Sequence, residues 1–430
     1  MEASLIGFVA LFALLFLGLP IGFGMGLVGV AGFAAIVGWG PAWVNLGQIS
    51  FATSQNFGLS VLPLFILMGN FITKAGLSDE LYNAAYAFVG RLRGGLAMAT
   101  VMACGGFSAV SGSSLATVAT MAKVSMPPMR RFGYADWLAS GAIAAGGTLG
   151  IMIPPSTVLI IYGTITETDI GELFVAGIVP GLLSIGLYIV VIAVISRIRP
   201  DAAPPGERID WPGRLRALAS VWGVLFLFLV IMGGITFGVF TPTEAAGIGA
   251  AGGFLFAISR GRLSLADLVD VLVETTKTTA MLFMVLIGAI VFSSFINVAG
   301  LPRLLVDFIN GLTIAPIGIM LIILAGYLVL GMFLNSLAMM LLTVPILFPV
   351  VEGLGFDLVW FGIIVVVVIE IGLITPPIGM NVFVLSSVLQ DVSNGTIFRG
   401  IAPFFVADLV RAALLIFFPS IALFLPRLTL

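Results

Sequence analysis

The sequence predicts an all-α polytopic membrane protein, an inverted structural repeat with two re-entrant helical hairpins and discontinuous helices. Three observations carry that reading. The chain is 60% hydrophobic and only 9% charged, with a mean hydropathy of +1.23, more apolar surface than a soluble core hides. Two apolar stretches, 94–128 and 312–350, carry small and hydroxyl residues at their centres. The second stretch repeats the first, and the repeat extends well beyond it.

Helix follows from the composition, because hydrocarbon offers the backbone no partners but its own. The first soft stretch, GGLAMATVMACGGFSAVSGSSLATVATMAKVSMPP, has no charge for 29 residues after Arg93. A straight helix of that length spans about 44 Å at ~1.5 Å per residue, against a hydrocarbon core of roughly 30 Å. A break is therefore expected at Gly105, Gly106 and Ser108 to Ser114, where glycine and competing hydroxyls weaken the helix. Such backbone survives at membrane depth only when it lines a cavity or is enclosed by protein. The competing reading is one tilted helix with a small-residue packing face. Against it stands the recurrence of the design as GYLVLGMFLNSLAMMLLTVPILFPV, in which Ser336, Ala338 and Pro349 fall on Ser114, Ala116 and Pro127, each 222 positions apart.

The repeat continues through LGIMIPP (149–155) and IGLITPP (371–377), Gly177 and Pro180 against Gly400 and Pro403, and Pro20 against Pro242. Ala75, Gly76 and Leu77 likewise match Ala299, Gly300 and Leu301. The domain reading is a first repeat at 1–197, a linker at 198–216 rich in arginine and proline, and a second repeat at 217–430. Each repeat has about five crossings plus its hairpin, and an odd number of crossings inverts the second copy.

Along the chain, the apolar start is too long and too poor in basic residues for a cleaved leader. Residues 5–20 and 21–39 read as crossings, 40–56 as a polar excursion, 57–73 as a crossing, and 77–93 as an interfacial helix. Arg91, Arg93, Arg130 and Arg131 flank the first hairpin, and residues 196–216 carry five arginines, so both belong in the cytoplasm. Counting from there puts both termini in the periplasm. In the second repeat, 219–240, 245–259 and 278–297 read as crossings, 358–390 as a crossing broken at Pro376 and Pro377, and 401–424 as the last helix.

The chain has no histidine and one cysteine, Cys104, which removes histidine chemistry, disulfides and cysteine clusters. No basic cluster points to nucleic acid. An intramembrane enzyme needs a nucleophile with its base or a carboxylate pair, and none is evident; a channel needs a continuous polar pore, which the apolar half-helices oppose. What remains is a carrier. The carbonyls freed before each Pro-Pro pair, 150–153 and 372–375, with hydroxyls of Ser111, Ser113, Thr148 and Thr375 and the Asn335 amide, are hard oxygen ligands for a small cation. Half-helices opening at Ser113 and Asn335 aim positive dipole ends at the same space, which favours an anionic substrate. The competing account of the Pro-Pro pairs is kinking for packing, whereas for Thr117, Thr120 and Thr343 bonding to their own helix backbone is the stronger account.

Charges inside the membrane cost about 2.5 to 3.5 kcal/mol each on insertion scales. Glu370, inside IIVVVVIEIGLITPP, is either a coupling or gating site or half of a structural pair. Asp408 and Arg411 are spaced to neutralise each other. Glu244 reads as a capping residue and Asp136 as interfacial.

GGFSAVSGSSLATVATM, LGIMIPPS, VFTPTEAAG, GMFLNSLAMMLLTVPILFP and ITPPIGMNVFVL together resemble the large membrane subunit of the tripartite ATP-independent periplasmic (TRAP) transporters, over essentially the whole chain. The resemblance implies an elevator-type transporter, with a transport domain of 94–170 and 312–398 sliding against a scaffold of the remaining helices. It implies sodium as the transported coupling ion, no organic cofactor, and import of an organic acid such as a C4-dicarboxylate or sialic acid across the bacterial inner membrane. It implies two partners, a small four-helix membrane subunit and a periplasmic substrate-binding protein, and the early start of the apolar run leads to the expectation that the small subunit is a separate chain. One implied sodium site is Ser111, Gly112, Ser113, Thr148 and Gly150, and the other Gly331, Phe333, Asn335, Thr375 and Gly379. The implied substrate residues are Ser114, Ser156, Asn335, Ser336 and Asn381. The alternative is a stand-alone sodium- or proton-coupled anion carrier of a related hairpin fold, the proton version resting on Glu370.

Overall fold

The computed structural model describes residues 2–310 and 314–429, and among them every regular element is helical. The first repeat runs α1 (Glu2–Phe16), α2 (Ile21–Val37), α3 (Trp39–Gln55), α4 (Val61–Lys74), α5 (Leu77–Val89), α6 (Gly95–Ser111), α7 (Ser114–Arg131), α8 (Asp136–Thr148), α9 (Thr157–Thr166) and α10 (Ile170–Ile198). The linker helix α11 (Trp211–Ser220) meets α12 (Trp222–Thr236) at a 52° bend. The second repeat continues with α13 (Pro242–Ser259), α14 (Leu265–Val298), α15 (Leu301–Asn310), α16 (Pro316–Gly331), α17 (Ser336–Gly353), α18 (Leu358–Leu373), α19 (Met380–Val388) and α20 (Asn394–Phe417). A short α21 (Ser420–Thr429) closes the chain.

The sequence repeat is a backbone repeat. Helix by helix, α1 and α2 match α12 and α13, and α5 to α10 match α15 to α20. Gly76 and Gly300 both turn the chain at φ 77°, a value glycine adopts without cost. One correspondence is unequal: α3 and α4 are separate helices divided at Asn56, whereas their counterpart α14 runs unbroken for 34 residues.

Two expected boundaries change, and two segments gain detail. The polar stretch 40–56 is helix, packed against α2 and α14. The crossing placed at 278–297 begins earlier, at Leu265, because Ser264 and Asp267 form a capping box there. The final helix placed at 401–424 is two, α20 and α21, divided at Phe418 and Pro419. The helix read as interfacial, α5, buries Leu77, Leu81 and Tyr82 and packs on α6 and α11. The hairpin boundary at 312 lies outside the described residues. Among the described residues five helical segments are long and apolar enough to cross a membrane, six if the bent α11–α12 pair is one span, and the shorter apolar helices have 10–17 residues.

Lipid tails are as apolar as leucine, so helices in a membrane associate through close packing of small residues. The two repeats are joined this way, reciprocally: α2 lies along α14, and its repeat mate α13 lies along α4. At the first seam a Cβ on Gly29 would stand 2.7 Å from the backbone nitrogen of Phe292. A third close seam joins α8 to α20, where Gly141 faces Gly400.

The linker is not a free tether. Its backbone bonds to the first repeat at Gly94 N to Ala203 O (3.1 Å), Ala135 N to Ala202 O (3.1 Å) and Gly206 N to Gly90 O (2.8 Å). Arg214, buried on α11, donates to the Ala87 carbonyl at 3.0 Å, and the Tyr86 hydroxyl accepts from Glu207 N at 2.8 Å.

Overpacking a tight seam costs about 1–3 kcal/mol, whereas Gly→Ala in an open helix position gains about 0.5–1 kcal/mol. Gly29→Ala is therefore expected to lower the melting temperature of the purified protein. Gly47→Ala, in α3 with nothing within 4 Å of the added methyl, is expected to leave it unchanged or raise it.

Candidate functional site

The first hairpin breaks at two residues. The break falls within the expected stretch Ser108 to Ser114 but not at Gly105 and Gly106, through which α6 runs on to Ser111: a Cβ at these two positions would meet the Ile185 and Leu81 side chains, and the glycines serve packing. Gly112 then turns left-handed at φ 57°, and Ser113 is extended and accepts the Ala116 N–H at 3.4 Å, capping α7. The Ser111 and Thr117 hydroxyls stand 2.9 Å apart, and Thr117 also donates to the Ser113 carbonyl at 2.8 Å. The plain intrahelical bond expected of Thr117 is present, together with a tip contact the sequence did not mark. Thr343 bonds its own helix at Met339 O, 2.7 Å.

This tip rests on the first broken helix. A Cβ on Gly150 would stand 2.5 Å from the Ser113 carbonyl oxygen, and Thr157 of α9 donates to Gly112 O at 2.9 Å. The second tip is built alike. Asn335 Oδ1 accepts the Ala338 N–H at 2.8 Å, capping α17. A Cβ on Gly372, the repeat mate of Gly150, would stand 2.6 Å from Gly331 Cα. Beyond it Thr375 donates to Ile371 O at 2.5 Å, and Gly379 turns at φ 58° ahead of α19.

Both tips open on one cavity of about 280 Å³. Ser111, Ser113 and Ser114 enter it from one tip, Asn335 and Ser336 from the other, and Asn70, Thr73, Glu274 and Thr278 from a wall made by α4 and α14. That wall is held by Asn70 Nδ2 donating to Thr275 Oγ1 at 2.9 Å. First-turn residues of α7 and α17 line the cavity, so the starts of two helices, with their positive dipole ends and the N–H groups that the Ser113 and Asn335 caps leave over, face it. The one carboxylate in the lining, Glu274, comes from the wall and not from a tip. Among the described residues no three His, Cys, Asp or Glu side chains gather as a metal cluster, so a cation held at the tips would rest on carbonyl, hydroxyl and amide oxygens.

The expected site residues divide by what their side chains do. Ser114, Asn335 and Ser336 line the cavity, but Ser156 and Asn381 lie behind it, fully buried. Ser156 donates to Ile151 O at 2.5 Å and caps α9. Asn381 accepts from Ser114 Oγ at 2.8 Å and donates to Ala144 O at 3.2 Å, tying α19 to the first tip and α8. The Thr148 hydroxyl is turned to Ala145 O (2.8 Å) and Tyr188 (3.5 Å), so its bonds are made within its own helix and to α10, not to the tip. Phe333 is 48% exposed and does not line the cavity, so only its carbonyl is a ligand candidate. Glu370 is paired with Arg411 at 2.7 Å and lies outside the cavity. Asp408 meets the same guanidinium, as its spacing predicts. Glu244 caps α13 as expected: its carboxylate accepts the Thr241 N–H at 2.8 Å, which holds its pKa below the ordinary value.

Sequence reasoning missed the wall. The only signal was isolated polar residues in apolar helices, such as Asn70 in VLPLFILMGNFITK.

Comparison with known proteins now bears on this geometry. The family described as "Tripartite ATP-independent periplasmic transporter, DctM component" matches residues 8–421. The C4-dicarboxylate TRAP transporter large permease protein DctM of Pseudomonas aeruginosa is 38% identical over 403 residues, covering 93% of each chain. The sialic acid TRAP transporter large permease protein SiaM of Vibrio cholerae is 34% identical, covering 100% of this chain and 99% of its own. Among solved structures, the YdaH transporter of Alcanivorax borkumensis superposes with a TM-score of 0.67 over 97% of this chain and 98% of its own, at 14% identity, which shows a shared fold. These relatives are permeases, not enzymes, and the chain belongs to the DctM component family of the tripartite ATP-independent periplasmic transporters.

Proposed function

We propose that this chain is the large permease subunit of a sodium-coupled, binding-protein-dependent importer of an organic acid, working by an elevator motion in the bacterial inner membrane. The observation that carries the reading is the pair of matched, carboxylate-free tips opening on one cavity. Each tip presses on a glycine of a broken helix, so carbonyl oxygens of the tip and of the break come together. Oxygen sets of this kind suit a small hard cation, and the helix-start N–H groups beside them suit a carboxylate. Sodium at the first tip would draw on Ser111, Gly112, Ser113 and the carbonyls of 148–150; at the second, on Gly331, Phe333, Asn335, Thr375 and Gly379.

Family membership supports the tripartite reading over a stand-alone carrier. The partners proposed are a small four-helix membrane subunit and a periplasmic protein that delivers the substrate, with both termini of this chain periplasmic. The dicarboxylate and sialic acid relatives make a carboxylate the substrate class proposed here. Cotransport with more than one sodium per negative charge would draw about 2.3 kcal/mol per net positive charge from ~100 mV. The transport domain proposed is 94–170 with 312–398, moving past the α4 and α14 wall.

A ligand bound only by the folded state at a hundred times its dissociation constant adds about 2.7 kcal/mol. Sodium chloride is therefore expected to raise the melting temperature of the purified subunits above that in potassium or choline chloride at equal ionic strength. Ser113→Ala and Asn335→Ala also remove helix caps, each worth about 0.5–2 kcal/mol, so the informative quantity is the sodium-specific increment. It is expected to shrink in both variants and in Ser111→Ala, which caps nothing. An increment no larger in sodium than in potassium would remove the cation sites.

The motion is tested across the cavity. In a Cys104→Ala background, Ile66→Cys on α4 and Leu115→Cys on the first tip both face the cavity. Cross-linking them with a reducible thiol reagent is expected to stop uptake in proteoliposomes, and reduction to restore it. Undiminished uptake while cross-linked would rule out sliding between these elements.

A further inference from the structure

The most deeply buried charges of the molecule lie outside the cavity. Glu370 on α18 and Asp408 and Arg411 on α20 have no exposed surface. Arg411 Nη2 stands 2.7 Å from Glu370 Oε2 and 3.0 Å from Asp408 Oδ1, while Nη1 donates to the Ser184 hydroxyl of α10. The Tyr188 hydroxyl, also on α10, lies 2.8 and 2.7 Å from the two Asp408 oxygens and donates to them. On its other side is Thr148 of α8 at 3.5 Å.

Four residues of this cluster form two pairs of repeat mates. Thr148 immediately precedes LGIMIPP and Glu370 immediately precedes IGLITPP; Tyr188 and Arg411 stand at the same distance past Pro180 and Pro403. The cluster therefore sits where the two repeats face each other.

Its charges do not balance. Arginine keeps its proton in proteins, so one guanidinium faces two carboxyl groups. No other cation reaches them: the only further buried charge among the described residues is Arg214, bonded to Ala87 O on α5. The other buried phenols near α18 are committed elsewhere, Tyr162 of α9 to Leu358 O and Tyr327 of α16 to Thr343. An uncompensated charge in a dry interior is among the costliest arrangements a protein can hold.

We infer that Glu370 and Asp408 share a single proton around Arg411, making the cluster an electrically neutral intramembrane proton site. The contacts say which carboxyl carries it. Asp408 accepts the Tyr188 hydroxyl as well as facing the guanidinium, whereas neither Glu370 oxygen receives a directed hydrogen bond, its contact with Arg411 being off-line. Asp408 is the anion and Glu370 the acid. This rests on contacts and a charge count alone, so it stands or falls separately from sodium coupling.

Infrared spectroscopy of the subunits reconstituted in lipid tests it. At alkaline pH, where exposed carboxyls are ionised, the wild-type protein is expected to keep a protonated-carboxyl band with the intensity of one group per chain. Glu370→Gln removes the band. Asp408→Asn removes it too, because the remaining carboxylate then pairs one-to-one with Arg411. Arg411→Met doubles it, and Glu352→Gln, distant from the cluster, leaves it unchanged. Absence of the band in the wild type, or its persistence in either Glu370→Gln or Asp408→Asn, overturns the inference. Glu370→Gln mimics the neutral acid in shape, so the test survives if the other variants fail to fold.

Discussion

In hydrocarbon a backbone N–H or C=O without a partner has no water to turn to. That constraint governs this molecule, because it interrupts four of its helices at depth and must close each interruption with protein. The closures are mutual. The first tip is covered by the 149–151 turn and by Thr157, and the second by Gly372. The two tips share a single cavity, and their contribution to it is oxygen and N–H without carboxylates.

Helix seams then fix where that cavity lies. With no hydrophobic drive between helices, contact distance decides, and glycine sets contact distance. The reciprocal pairing of α2 with α14 and α13 with α4 crosses the repeats, so neither half is a self-contained unit. The wall of the cavity, Asn70 and Thr73 from one half and Glu274 and Thr278 from the other, exists only because of that exchange.

How much of this the sequence carried depends on whether a feature was written in side chains. The duplication, the tips and the Pro-Pro breaks were legible, since each has a matched second copy. Gly105 and Gly106 misled because a glycine that admits a neighbouring side chain is spelled the same as one that breaks a helix; the true break, Gly112, differs in its φ, which no sequence shows. The strapped linker was invisible for a related reason, being held largely by backbone bonds. Ser156 and Asn381 were legible as polar residues beside the site but not as caps and braces turned away from it. The Asp408–Arg411 pair followed from its spacing on one helix, while the third member, Glu370, comes from another helix and could be joined to them only in three dimensions.

The meeting of Thr148 with Glu370's register, and of Tyr188 with Arg411's, has a consequence for how such a chain diversifies. Where two equivalent copies meet, a residue i of one faces a residue j of the other, so a charge placed in both copies is carried into the contact twice. Two copies carried in one chain mutate independently, and an acid and a base can then occupy positions whose mates in the other copy stay neutral. The contact between halves is therefore a place where fusion permits an unequal set, two acids and a base against a threonine and a tyrosine, that an assembly of identical subunits would have to carry in duplicate.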